Sequence, residues 1–362
     1  MIHCDFLTGF LGSGKTTLLN HFLKNVDQSG YAIIVNEFGA IGLDQLVYQE
    51  ITDNVFLLDS GCLCCTMTHS FRETLLQIQS VILHNNLKPL QKVIVESSGL
   101  ADPVPILHSL LGDKVLAPYF QLGAVVTVVD AMHGEHQISN YPESMRQILA
   151  ADHIVISKND LVDESQLQAI TAVVQSRNPY APICLQSDQQ AVDDIFKGLG
   201  NSSFHFLKLL QPTARGTSSK NQLLTTRNYS KLPSLHSANA QSWSAFIDIM
   251  PTWVGLSAWW YLVSNQFESN LLRCKGILEL DNPQPYVMIH GVGTYFHSPS
   301  YLEKWPDTDS RGRLVCIGID LDIQFLNDSL KALTLTDSFA KPKNLKELQQ
   351  LMEWQYESIQ AN

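Results

Sequence analysis

The chain has 362 residues, 45% of them hydrophobic, which is length enough for two domains with ordinary buried cores. With 24 Lys and Arg against 35 Asp and Glu, its formal net charge of −11 argues against a nucleic-acid partner held through phosphates. No run of about 18 apolar residues occurs, and the N-terminus enters a glycine-rich loop almost at once; both features argue against a membrane span or signal peptide and make the cytoplasm the expected location.

An apolar run, Ile2 to Leu7, leads into Gly9-Phe10-Leu11-Gly12-Ser13-Gly14-Lys15-Thr16-Thr17, and a helical pattern follows from Thr17. Strand, Gly-x4-Gly-Lys-Thr and helix in that order spell a phosphate-binding loop. Gly9, Gly12 and Gly14 let the backbone, with Ser13, curl so that successive N–H groups face one anion, and the helix N-terminus favours the same charge. Lys15 supplies a mobile cation for the β- and γ-phosphates, and the Thr16 hydroxyl can sit on Mg²⁺. His3 and Asp5 fit poorly in a buried parallel strand, so both are expected near its exposed end.

Tyr31 to Val35 reads as a second strand that empties into Asn36-Glu37-Phe38-Gly39 and on to Asp44. Loops at the carboxyl ends of parallel strands face the ligand, which makes Glu37 and Asp44 candidates for ordering Mg²⁺, water or another metal. Val55 to Leu58 is a short strand before Ser60-Gly61-Cys62-Leu63-Cys64-Cys65. Helical spacing over Ser70 to Leu83 precedes the strand Lys92 to Glu96 and the segment Ser97-Ser98-Gly99-Leu100-Ala101-Asp102. There Glu96 can hold the hydration shell of Mg²⁺, and Gly99 leaves its N–H free to approach a γ-phosphate. Lys15, Thr16 and Glu96 are thus the expected catalytic residues.

Strands over Ala124 to Val129, closing at Asp130, and over Asp152 to Ile156 continue the alternating β/α series, with a helix from about Glu164 to Gln175. Residues 198–240 are polar and lack apolar periodicity, which predicts a linker or surface connection between a nucleotide-binding domain at 1–197 and a smaller α+β domain at 241–335. In the latter, strands are expected at Trp243–Asp248, Leu271–Leu280, Tyr286–Phe296 and Arg313–Ile319, with helices at Gly255–Phe267 and about Gln324–Leu333. The tryptophans there are expected to supply core. A helical tail is expected over 336–362.

Two further constellations carry chemistry. Ser157-Lys158-Asn159-Asp160 follows a strand of the same series, where Asp160 can accept two hydrogen bonds from the N1–H and exocyclic amine of guanine while the Lys158 stem lies along the base. Adenine offers no such pair, so the expected nucleotide is GTP. Cys62, Cys64 and Cys65 place three thiolates within four positions, a donor set suited to Zn²⁺ or Cu(I) and not to Mg²⁺ or Ca²⁺. Seven cysteines, an odd number so clustered, point to a metal or redox cluster in a reducing compartment. Glu37, His69 and His108 are candidates for a fourth ligand.

Taken together, GFLGSGKTT, NEFGAIGLD, GCLCC, ESSGLADP and SKND, in this order, resemble the CobW-type metallochaperone GTPases, a branch of the P-loop GTPases. The likeness continues through RCKGIL, HGVG and GRLVCIG and covers nearly the whole chain. It implies GTP hydrolysis coupled to delivery of a transition metal, often zinc, to a metal-requiring client protein. Three departures from the family pattern stand out: Ser157 where Asn is usual, Ala40 where the NEFG loop commonly has an acid, and no His-rich stretch. The other reading, from a different class, is a GTP-controlled binding protein whose tricysteine is a redox sensor or a structural element.

Overall fold

The computed structural model describes residues 1–27, 30–35, 55–57, 65–84, 90–198, 224–227, 240–268, 270–296 and 299–336. They divide into two compact units, each described by itself. In the first, seven strands pair in parallel in the order β3-β2-β4-β1-β5-β6-β7. They are β1 (Ile2–Thr8), β2 (Tyr31–Val35), β3 (Val55–Leu57), β4 (Lys92–Glu96), β5 (Phe120–Asp130), β6 (His153–Ser157) and β7 (Ile183–Leu185).

The continuous apolar runs explain this arrangement. Every residue of β2, β4 and β6 is buried, as expected of strands covered on both faces. One side of the core joins Leu18, Leu19 and Phe22 of the helix Lys15–Lys24 to Tyr31, Ile33, Ile94, Val126 and Val155 of the sheet and to Phe196 of the helix Gln189–Lys197. Phe22 and Phe196 meet at 4.9 Å between ring centroids. Each such side chain, fully buried, stabilises the fold by about 1.5–3 kcal/mol relative to exposure.

The expectation for Asp5 is overturned. Its residue is 1% exposed, and its carboxylate pairs with Lys92 Nζ from β4 and accepts the Ala124 N–H of β5 at 2.8 Å. Burial pushes the Asp5 carboxyl upward against the opposing pull of Lys92. The β1–β5 register shifts between Cys4 and Phe6, at the position that carries the acid. His3, by contrast, is exposed, as expected.

Four helices were not expected from the sequence: Pro103–Gly112, Gly134–Asn140, Pro142–Ala150 and Gln189–Lys197. Start signals for three of them are nevertheless in the sequence. Asp102 caps the first through Val104 N–H at 3.0 Å with Pro103 in its first turn, Pro142 opens the third, and Asp188 caps the fourth through Ala191 N–H at 3.1 Å.

The second unit is an antiparallel sheet of β8 (Leu224–Arg227), β9 (Ala240–Ile247), β10 (Leu271–Glu279), β11 (Tyr286–Val292), β12 (Tyr295–Phe296), β13 (Ser300–Tyr301) and β14 (Gly312–Ile319). Its order is β12-β11-β10-β14-β9-β8, with β13 also on β11. β8 lies inside the polar stretch read as a connection: Leu224 to Arg227 pair with Ser244 to Ile247. The helix Trp253–Phe267 and the helical turns Ile323–Ser329 and Leu330–Thr334 contribute to the core beside this sheet. Trp243 and Trp259 are wholly buried, and their indole N–H groups are satisfied by Asn327 Oδ1 at 2.8 Å and Ser329 Oγ at 3.1 Å. Arg313 is also wholly buried, forked onto the Asp307 carboxylate at 2.6 and 2.9 Å. Among the described residues no helix is long and apolar enough to cross a membrane.

Candidate functional site

The site gathers at the carboxyl ends of β1, β4, β5 and β6. Gly9, Gly12 and Gly14 take φ of 142°, 69° and 93°, the left-handed conformations that let the loop turn back on itself. A Cβ at Gly9 would lie 2.3 Å from the Val128 carbonyl oxygen of β5, so the loop also needs glycine there for its approach to the sheet. The Lys15 ammonium is held at the loop by the carbonyls of Gly9 at 2.9 Å and Phe10 at 3.3 Å. Ser13 is completely buried, and its Oγ has no hydrogen-bond partner among the described residues. Thr17, the next position after Thr16, is exposed on the first turn.

Across the β1–β4 pair, the Thr16 hydroxyl donates to Glu96 Oε1 at 2.7 Å. Two hard oxygen donors therefore converge beside the loop, a set that fits Mg²⁺. The segment after Glu96 is pinned from several directions. Ser97 N–H donates to the Leu7 carbonyl at 2.9 Å, and its hydroxyl donates to Thr8 Oγ1 at 3.0 Å. A Cβ on Gly99 would come within 2.6 Å of the Leu11 nitrogen, so the segment touches the phosphate loop at a point only glycine allows. The Gln147 amide, from the helix Pro142–Ala150, donates to the carbonyls of Gly99 at 3.1 Å and Ala101 at 3.0 Å. Arg146 pairs with Asp102 at 3.1 Å.

The base-reading candidates lie after β6. Ser157 Oγ donates to the Ser13 carbonyl at 2.6 Å and so ties this strand to the phosphate loop. Lys158 adopts φ 53°, ψ 28°, and its ammonium reaches Asp130 at 2.7 Å. Asp130 also accepts from Met132 N–H at 2.7 Å and from His133. Burial alone would raise its carboxyl, but these bonds, with Lys158 foremost, hold it below the ordinary carboxylate range. Asp160 sits in the short turn Asn159–Leu161 and is exposed. Asn159 donates to Ser187 Oγ at 2.9 Å, and Lys158 N–H to Gln186 Oε1 at 3.3 Å, bringing the loop after β7 alongside.

Thus Lys15, Thr16, Glu96 and Gly99 come together, with Lys158 and Asp160 on the next strands of the same edge. Glu37, Asp44, Cys62 and Cys64 lie outside the described residues, and Cys65 is described only as the first backbone position of the helix Cys65–His84. His69 is likewise a backbone position on that helix, and His108 lies on the helix Pro103–Gly112. Among the described residues no group of three or more His, Cys, Asp or Glu could hold a metal ion. Sequence reasoning assigned no role to Asp130, Arg146 or Gln147. Asp130 ends a Val-rich strand just as Glu96 does, a signal that could have been used. Gln147 gave none, since its partners lie 46 and 48 residues away.

Comparison with known proteins adds to this geometry. The family described as CobW/HypB/UreG, nucleotide-binding domain, matches residues 4–185, and the cobalamin synthesis protein cobW C-terminal domain matches residues 241–334. Zinc chaperone YjiA of Escherichia coli (strain K12) is 27% identical over 326 residues, spanning 88% of this chain and 95% of its own. Zinc chaperone CobW of Sinorhizobium is 25% identical over 367 residues, spanning 92% and 97%. The crystal structure of a Zn(II)-bound triple mutant of the YjiA GTPase shares the fold, with a TM-score of 0.62 at 23% identity over 92% of this chain and 99% of that one.

Proposed function

The chain belongs to the CobW/HypB/UreG family and carries the CobW C-terminal domain, and from that premise we propose that it hydrolyses GTP and uses the turnover to deliver a transition metal, zinc, to a client protein. The observation that carries the nucleotide half is the 2.7 Å bond between Thr16 and Glu96 beside a loop that already holds the Lys15 ammonium. Phosphoryl transfer is mostly positioning and charge neutralisation, and those are what these groups provide. Lys15 draws the β- and γ-phosphate oxygens, and the N-terminus of the helix Lys15–Lys24 adds its partial positive charge. Thr16 would hold Mg²⁺ and Glu96 its hydration shell, and the ion would supply further neutralisation of phosphate charge. The N–H of Gly99 is available to the γ-phosphate, and Asp160 selects guanine while Lys158 flanks the base. Near the loop no arginine is evident in the sequence as a source of transition-state charge, so basal turnover is slow.

The metal half of the reading is supported by the thiolate trio Cys62, Cys64 and Cys65, with Glu37 as a further ligand, and by the zinc chaperones among the relatives. Zinc is the cargo, and the tricysteine follows β3 in the sequence just as Glu96 closes β4. Loops at the carboxyl ends of the strands of one parallel sheet share one edge, so ordering them around a γ-phosphate and Mg²⁺ would also alter the thiolate geometry. Metal and nucleotide affinities are then reciprocally linked, by about 5- to 150-fold. Titrating a chromogenic zinc chelator against the protein loaded with GDP or with a non-hydrolysable GTP analogue tests this. Different zinc affinities, lost in a Cys62→Ser, Cys64→Ser, Cys65→Ser variant, are expected; identical affinities would leave two independent sites.

A further inference from the structure

Asp130 closes β5 directly beside Ser157 of β6, and Ala131 N–H donates to the Ser157 carbonyl at 3.0 Å, so the two strand ends are tied together. The two oxygens of its buried carboxylate are divided between different partners. Oδ1 accepts the N–H groups of Met132 at 2.7 Å and His133 at 3.3 Å, which fixes the turn after β5. Oδ2 accepts the Lys158 ammonium at 2.7 Å and meets His133 Nδ1 at 3.2 Å. The turn needs only Oδ1, and an amide oxygen serves such a turn as well as a carboxylate does. The charge of Asp130 is therefore directed at Lys158.

Lys158 is held from both ends. Its backbone takes the left-handed conformation, φ 53° and ψ 28°, which a residue with a side chain keeps only where its surroundings impose it. Its N–H donates to Gln186 Oε1 at 3.3 Å, and its carbonyl accepts from Leu161 N–H at 3.1 Å. The tip is bound to a carboxylate whose side chain is 2% exposed, whereas the lysine side chain is 34% exposed. A lysine stem with a free tip samples many rotamers, and their loss opposes any ligand that needs the stem in one place. The bond to Asp130 removes that freedom with groups of the chain alone. The residue so fixed adjoins the phosphate loop: Ser157 Oγ donates to the Ser13 carbonyl, and a Cβ on Gly14 would lie 3.8 Å from Ser157 Cβ.

We infer that Asp130 is a positioning residue of the purine subsite: its Oδ2 fixes the Lys158 ammonium, so that the aliphatic stem stands as a preformed flank for the guanine ring. The inference rests on the GTP reading above and deepens it, adding a residue of β5 to the base-reading loop after β6. Asp130 acts through Lys158 and not by contact with the base. Its contribution is the ordering cost that the nucleotide is spared, which falls equally on GDP and GTP because they share the base.

The test uses the full chain with Asp130→Asn, Lys158→Met and the double variant, measuring affinity for GDP and for a non-hydrolysable GTP analogue, with kcat and KM for GTP hydrolysis. Asp130→Asn keeps Oδ1 for Met132 and His133 and replaces Oδ2 by an NH2 group, which cannot accept the ammonium. It is expected to weaken GDP and the analogue alike by about 2- to 10-fold, the cost of ordering one long side chain. In turnover the effect falls on KM and not on kcat. Lys158→Met keeps a stem and loses the anchored tip, so it should lose the same factor, and the double variant no more than either single one. Losses that add in the double variant would overturn the inference in favour of a packing role for Asp130. A fall in kcat at unchanged KM would overturn it too, as would an Asp130→Asn protein that binds both nucleotides like the parent. If the parent itself bound neither guanine nucleotide, the GTP reading would be overturned first, before any variant was compared.

Discussion

The two ends of the parallel sheet both bury charge, and they handle it in opposite ways. Midway along β1 and at the start of β4, Asp5 and Lys92 neutralise each other inside the protein, and the remaining oxygen of Asp5 is taken up by Ala124 N–H. At the carboxyl ends, Glu96 is as buried as a core residue, yet around it stand Ser13 and Ser98 with unpartnered hydroxyls and, on the strand ends beyond, an exposed Asp160. A buried charge alone therefore does not mark a site. The convergence of Thr16 and Glu96 beside the Lys15 ammonium is the better indicator.

Four experiments would break or sharpen that contrast, beginning with the largest effect. Lys15→Ala at the carboxyl end should abolish GTP hydrolysis, because the loop loses the cation that addresses the β- and γ-phosphates; normal turnover in a phosphate-release assay would show that this end is not the reactive one. Asp5→Ala at the other end should do the reverse. It strands Lys92 inside the protein, so stability in urea should fall by about 3–5 kcal/mol, while the molecules that remain folded bind nucleotide as before. If Asp5→Ala weakened nucleotide binding at constant stability, the two ends would be coupled and the contrast lost.

A smaller change is expected for Asp160→Asn, which removes an acceptor from an exposed position and leaves the fold intact. GTP affinity should drop by about 1–3 kcal/mol, with ATP much less affected in a competition assay. Equal losses would make Asp160 a structural residue. The smallest effect concerns Asp130, whose carboxyl is held below its ordinary value by Lys158, His133 and Met132 N–H. A depressed carboxyl contributes stability that is present above its unfolded value of about 3.9 and is lost as pH falls through the lower folded value. The parent protein should therefore lose stability on acidification below about pH 4 more steeply than Asp130→Asn does. Parallel acid limbs for the two proteins would show that Asp130 is not held in this way.

By itself the sequence determined the order of most of the strands and the place of the phosphate loop. Gly9 to Thr16 are readable because phosphate binding by backbone N–H groups needs those residue types at fixed spacing over one turn of chain. The buried strands are readable because a parallel strand covered on both faces must be apolar throughout. The same rule misplaced Asp5, since a local pattern cannot report that Lys92, 87 residues away, arrives on the adjacent strand to neutralise it. Tertiary structure alone decided which polar groups are satisfied. The grip of Gln147 on Gly99 and Ala101, the reach of Lys158 to Asp130 and the isolation of the Ser98 hydroxyl each depend on strands and helices brought together from distant parts of the chain. Hydrogen bonds act over about 3 Å in space, and no spacing along a single segment encodes them.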